Sequence, residues 1–137
     1  MAKITSTITI TANKSTAVTN PGPLSVALSL TKSDLLDVSG STYSGTADVT
    51  TTHGDNFIYD GSVVGAAYIY LNNISDTTVY VASGDGGGTA STRFMILKAG
   101  EFAFFPWDPS SSTNTDLYLD HAGSGSKKVE YWIFDQA

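Results

Sequence analysis

Arg93-Phe94-Met95-Ile96-Leu97-Lys98-Ala99-Gly100-Glu101-Phe102-Ala103-Phe104-Phe105-Pro106 decides the fold class of this 137-residue chain. It holds two short apolar runs split by Ala99-Gly100, with no room for a helical period of eleven residues. Such runs, bounded by glycine and proline, read as strands, over Thr92–Lys98 and Glu101–Pro106, joined by a tight turn as a hairpin. The same signs recur outward from it. Residues 63–71 and 77–82 read as a second antiparallel hairpin around Asn72-Asn73-Ile74-Ser75-Asp76. Residues 116–120 and 127–135 read as a third, joined by His121-Ala122-Gly123-Ser124-Gly125-Ser126.

Toward the N-terminus, Ile4, Ser6, Ile8 and Ile10 alternate with Thr5, Thr7, Thr9 and Thr11, a period-two strand with a threonine face. Asn20-Pro21-Gly22-Pro23 breaks the chain, after which Leu24, Val26, Leu28 and Leu30 alternate as a second strand. Ser33 to Val38 fits one capped helical turn or a continued strand, and residues 39–54 read as weak edge strand plus loop. Nine to eleven short strands at about ten-residue spacing, without a repeat of 20 to 50 residues, make an all-β protein. The expected architecture is a jelly-roll-like antiparallel β-sandwich in one domain, residues 21–137, preceded by an extended arm over residues 1–20.

Composition narrows function by exclusion. Thirteen acidic against seven basic side chains give a formal charge of −6, which argues against nucleic acid and anionic membranes as partners. With no cysteine, neither a disulfide framework nor a thiolate site exists. No window approaches the roughly 20 apolar residues of a membrane span, and no export signal is evident, so the chain reads as soluble and made without export.

Chemistry-bearing motifs are few. Gly84-Asp85-Gly86-Gly87-Gly88 is rich enough in glycine to cradle a phosphate, yet it leads into a strand without a Lys-Ser/Thr ending, so it reads as a hairpin loop. His53 beside Asp55 and His121 beside Asp120 lack the spacing of zinc or iron ligands. Asp85, Asp108, Asp116 and Asp120 leave a structural calcium ion open. Glu101 and Glu130 are the only glutamates; both read as solvated strand residues, Glu130 beside Lys128, and no Gly-x-Ser-x-Gly elbow anchors a triad. No catalytic, cofactor or metal residue is assigned. The aromatics are more telling: Phe102, Phe104, Phe105 and Trp107, with Tyr131, Trp132 and Phe134, are apolar at both parities of their strands. Only one face of a small sandwich can meet its core, so the other is expected to be covered by another subunit. Together with Ile4, Ile8 and Ile10 of the arm, these residues form the candidate interface. The competing use is a sugar platform drawn from Tyr43, Tyr59, Tyr68, Tyr70 or Trp107.

Tyr68-Ile69-Tyr70-Leu71-Asn72-Asn73, then Val79-Tyr80-Val81, then Phe94-Met95-Ile96-Leu97-Lys98-Ala99-Gly100-Glu101-Phe102 resembles a pattern of small β-sandwich virion proteins of tailed bacteriophages, over residues 63–137. The resemblance implies a non-enzymatic structural protein of the virion, a capsid decoration or cement protein. It further implies a homotrimer on the capsid surface that clamps neighbouring major capsid proteins after assembly in the host cytoplasm. A carbohydrate- or receptor-binding module, or a tail or adaptor protein, is the alternative. The hairpin also looks like a cupin, but the chain lacks the cupin His-x-His, which removes that enzymatic inference.

Overall fold

A computed structural model describes residues 2–11, 27–53, 56–59, 65–84, 92–108 and 116–136. Among these it holds nine strands: β1 (Ala2–Thr11), β2 (Ala27–Val49), β3 (Phe57–Tyr59), β4 (Ala67–Asn73), β5 (Val79–Gly84), β6 (Arg93–Leu97), β7 (Phe102–Trp107), β8 (Asp116–His121) and β9 (Lys127–Gln136). The protein is an all-β sandwich of two antiparallel sheets. Ser33 to Val38, open between helix and strand in the sequence, is strand, inside β2.

The chain divides into two compact units, Met1–Val38 and Ser39–Ala137, and the division falls within β2. In the first unit β1 pairs antiparallel with the first half of β2, setting Ile8 opposite Leu30, Ile10 opposite Leu28 and Lys3 opposite Asp37. The Pro21 break, Leu24, Val26 and the side chains of Ile4, Ile8 and Ile10 lie outside the described residues.

In the second unit one sheet runs β2-β9-β4-β7 and the other β3-β8-β5-β6. Sequence-adjacent strands mostly sit in different sheets. The expected pairings of β4 with β5, β6 with β7 and β8 with β9 are therefore corrected: β4 pairs with β7 and β9, and β5 with β6 and β8. The hairpin expected at Gly84 is kept, since β5 and β6 do pair. Asn73 supplies the physical reason at the first corner. Its backbone N–H donates to Glu101 O at 2.9 Å and its carbonyl accepts from Gly100 N–H at 2.9 Å, so the end of β4 is bonded to the turn between β6 and β7 instead of folding back on β5. Gly100 holds that turn at φ +77°, a conformation side chains resist.

Strand alternation fills the core. Ile69 and Leu71 of β4, Val79 and Val81 of β5, Leu117 and Leu119 of β8, and Val129 and Ile133 of β9 are buried between the sheets. Where β2 passes β9, Gly45 leaves space that a Cβ would fill, 3.0 Å from the Tyr131 phenol oxygen.

Candidate functional site: the outer faces of the two sheets

The parity of each strand sorts its aromatics. On β7, Ala103, Phe105 and Trp107 pack against the core, as does Tyr131 on β9. That leaves Phe102, Phe104 and Pro106 on the outer face, with Trp132 and Phe134 of β9 and Tyr68 and Tyr70 of β4. The register lines these up in rows across three strands: Phe134–Tyr68–Pro106, Trp132–Tyr70–Phe104 and Glu130–Asn72–Phe102. Six aromatic side chains thus share one outer face, with Phe102 67% and Trp132 42% exposed. Taking about 200 and 250 Å² for these two whole side chains, they alone leave roughly 240 Å² of ring surface open to water.

The rings stand against one another. Tyr68 stacks with Phe104 at 6.2 Å and 21°, Trp132 with Phe134 at 6.1 Å and 21°, and Tyr70 tilts over Phe102 at 6.2 Å and 35°. Ring pairs at these separations and angles support one another across the strands. Charge is confined to one end, where the Glu130 carboxylate accepts from Asn72 Nδ2 at 3.1 Å. Lys128 pairs with Asp48 at 2.7 Å rather than with Glu130, the neighbour its spacing suggested, because β2 brings Asp48 alongside β9.

The outer face of the other sheet is built differently. The Asp120 side chain, 2% exposed, is held by Arg93, whose Nε donates at 3.2 Å and whose terminal nitrogen reaches the second carboxylate oxygen. His53 Nδ1 lies 2.9 Å from Asp120 Oδ2. The Arg93 guanidinium covers the Tyr80 ring at 4.0 Å, within cation–π range. A buried carboxylate needs such partners. Sequence reading missed Arg93; its one signal was that it is the only arginine in the chain.

His121 is buried and serves the fold. Gly123 N–H donates to its Nδ1 at 3.0 Å, so Nε2 carries the proton and donates to Val49 O at 3.1 Å. The two histidines therefore bond to different partners, and among the described residues no three His, Asp or Glu side chains gather as metal ligands. Asp85 and most of the glycine-rich loop lie outside the described residues. Glu101 accepts from Lys98 N–H at 2.7 Å within its turn. Of the sugar-platform tyrosines, Tyr59 is buried in the core, Tyr43 is exposed, and Tyr68 and Tyr70 lie on the aromatic face. Trp107 packs inward and stacks on Phe94 at 5.5 Å. The candidate interface is thereby divided: Phe102, Phe104, Trp132 and Phe134 face outward, while Phe105, Trp107 and Tyr131 serve the core.

No known protein-family profile matches the chain, and no solved structure matches it. Among curated proteins it is similar to segments of UDP-N-acetylmuramate–L-alanine ligases: 32% identical over 62 residues in Streptococcus agalactiae serotype V, and 31% over 62 residues in Streptococcus sanguinis. For Streptococcus thermophilus the figure is 32% over 53 residues. These stretches cover 44%, 44% and 37% of this chain but 14%, 14% and 12% of the ligases. The chain spans about one seventh of the length of the curated relatives it matches.

Proposed function

We propose that this chain is a non-enzymatic structural protein of a tailed-phage virion, a decoration protein that binds the major capsid protein through the aromatic face of β9, β4 and β7. The observation that carries the reading is that face: a contiguous outer surface of six aromatics lined up in rows across three strands. Apolar patches of this kind on soluble domains mark interaction surfaces. Nested pairing of β2 with β9, β3 with β8, β4 with β7 and β5 with β6 supports a jelly roll, one long hairpin rolled into two sheets. The resemblance to phage virion proteins supplies the virion setting and the homotrimer. The occupant we propose for the face is an apolar protein surface, whose burial contributes at about 25 cal/mol per Å² before the costs of association.

A carbohydrate- or receptor-binding module is the second reading, favoured by Tyr68, Tyr70 and Trp132 on an open face. It ranks second because the resemblance over residues 63–137 is to virion structural proteins. The ligase likeness covers too little of those enzymes to argue for ligation here. The test is mass spectrometry of purified particles of the source phage, with labelled antibody to place the protein on the head. Its absence from particles overturns the virion reading, and saturable binding on a glycan array would shift the face to sugar.

A further inference from the structure

We propose, resting on the capsid-binding reading of the aromatic face, that the docked segment of the partner carries an arginine that pairs with the Glu130 carboxylate beside Trp132. Glu130 ends the row Glu130–Asn72–Phe102 on that face. It is half-buried, and its Oε2 accepts from Asn72 Nδ2 at 3.1 Å, a neutral donor. The nearby lysines are engaged elsewhere. Lys128, next to Glu130 on the same side of β9, reaches Asp48 at 2.7 Å, and Lys127 reaches Asp76 at 2.8 Å. Lys98 shares its turn with Glu101, whose carboxylate accepts from Lys98 N–H, so that turn adds no net charge. Among the described residues no cation pairs with Glu130.

While the face is open, water solvates this carboxylate. Covering the face removes that water. Trp132 stands two residues along β9 and is 42% exposed, and Phe102 at the far end of the row is 67% exposed, so a segment that buries both rings closes over Glu130 as well. A carboxylate taken out of water with one neutral donor is costly, and a cation offsets the cost. Arginine fits better than lysine. Its planar fork donates two N–H bonds to a carboxylate while its flat face lies on an aromatic ring. The other sheet already holds that arrangement within the chain, where Arg93 binds Asp120 and covers Tyr80 at 4.0 Å. A segment that brings only apolar or acidic groups to this point is disfavoured, so Glu130 selects the partner while the rings supply the area.

The probes are two short peptides, acetyl-Leu-Arg-Leu-amide and its citrulline counterpart, in which a neutral urea replaces the guanidinium. Each is titrated into the full chain and followed by tryptophan fluorescence, with Trp132→Phe to assign the signal, since Trp107 packs inward. The arginine peptide is expected to bind about tenfold more tightly than the citrulline peptide, as close charge pairs at interfaces do. That preference should vanish in Glu130→Gln, which keeps an acceptor for Asn72 and so the parent's far-ultraviolet spectrum. It should persist in Asp76→Asn, which removes the same charge away from the row. No binding of the arginine peptide, equal binding of the two peptides, or a preference that survives Glu130→Gln overturns the proposal. In co-sedimentation with capsid shells, Glu130→Gln should weaken binding by a similar factor. Shells that do not bind the parent chain defeat the capsid reading and leave the peptide preference standing, whereas a chain that binds shells without that preference defeats only this proposal.

Discussion

Replacing Asn73 by alanine tests the corner on which the two-sheet arrangement turns. Asn73 is fully buried at the end of β4. Its Nδ2 faces three carbonyls, Thr77 O at 2.7 Å and Leu97 O and Lys98 O at 3.0 Å each, while its Oδ1 accepts from Ser75 N–H at 3.1 Å and Ser75 Oγ at 2.6 Å. One side chain thus bonds the corner after β4 to the end of β6 and the turn that follows it. Removing it orphans several backbone groups, of which Leu97 O is the most deeply buried. Each orphaned buried group costs about 1–3 kcal/mol, and water reaching the more open carbonyls reduces the sum to about 3–5 kcal/mol. Against a total of roughly 5–15 kcal/mol for a domain, that is a large share. For a unit of about a hundred residues, where 1 kcal/mol moves Tm by about 4–8 °C, the midpoint should fall by at least about 12 °C.

The assay is thermal denaturation followed by circular dichroism, with Asn72→Ala beside it. Asn72 sits on the outer face with one side-chain hydrogen bond, to Glu130, and its loss should cost under about 1 kcal/mol. Asn73→Asp separates hydrogen bonding from volume: it keeps the size and the acceptor for Ser75 but sets a carboxylate against three carbonyls, and it should be at least as damaging as alanine. An Asn73→Ala protein melting within about 3 °C of the parent, a shift worth under 1 kcal/mol for a unit of this size, would refute the assignment.

Three further outcomes are expected. Arg93→Met should cost about 3–5 kcal/mol by leaving Asp120 buried without its guanidinium, whereas Arg93→Met with Asp120→Leu should recover most of the loss; equal losses in a denaturant double-mutant cycle would contradict the pairing. Burial raises the Asp135 carboxyl above its usual range, and Oδ1 has no hydrogen-bond partner among the described residues. Ionisation is thus penalised in the fold, so this residue's contribution is present below the unfolded pKa and lost as pH rises through the folded one. Asp135→Asn should therefore raise Tm at pH 7 and not at pH 3. Asp48 and Asp76 have the opposite sign: hydrogen bonds from Lys128 and Lys127, and then their charges, lower both carboxyls, and their contribution is lost only as pH falls below about 4. Finally, Trp132→Ala should weaken binding to capsid shells in co-sedimentation by on the order of 80-fold, from about 105 Å² of lost ring surface at about 25 cal/mol per Å², with far-ultraviolet dichroism unchanged.

The strands themselves were legible because alternation is local. Ile69 and Leu71 against Tyr68 and Tyr70, or Val129 and Ile133 against Glu130 and Trp132, state the period without help from the rest of the chain. Their partners were not, because a short loop between two strands suits a hairpin and a corner equally, and the difference at Asn73 is made by residues some twenty-five positions downstream. Ser33 to Val38 was ambiguous for the converse reason: its apolar pair Leu35-Leu36 fits a helical turn, and pairing with β1 overrides that local preference. Asp-Leu-Tyr-Leu-Asp-His of β8 shows the limit most plainly. It carries two aspartates and a histidine, yet all six residues are buried, because Arg93 and His53 arrive from elsewhere to hold Asp120 and the Val49 carbonyl of β2 accepts a hydrogen bond from His121.

The aromatic face was half legible, and the missing half was parity. Phe102 to Trp107 and Tyr131 to Phe134 announce two apolar faces, but a lone strand does not say which one meets the core. On β9 the aliphatic residues decide it: Val129 and Ile133 share a parity with Tyr131, which puts Tyr131 inside and Trp132 and Phe134 outside. On β7 the only aliphatic between Phe102 and Trp107 is Ala103, too small to assert a side, and the register against β4 is needed before Phe105 and Trp107 go inward and Phe102 and Phe104 outward. Once that parity is set, the two outer faces differ in kind. One sheet sets the chain's only arginine on a buried carboxylate and leaves Phe94 and Ile96 exposed at its β6 edge; the other presents rows of rings whose burial no described part of the chain supplies. On the reading proposed above, the six-ring face meets another molecule, which is why the outward aromatics, more than any titratable group, mark where function is to be sought.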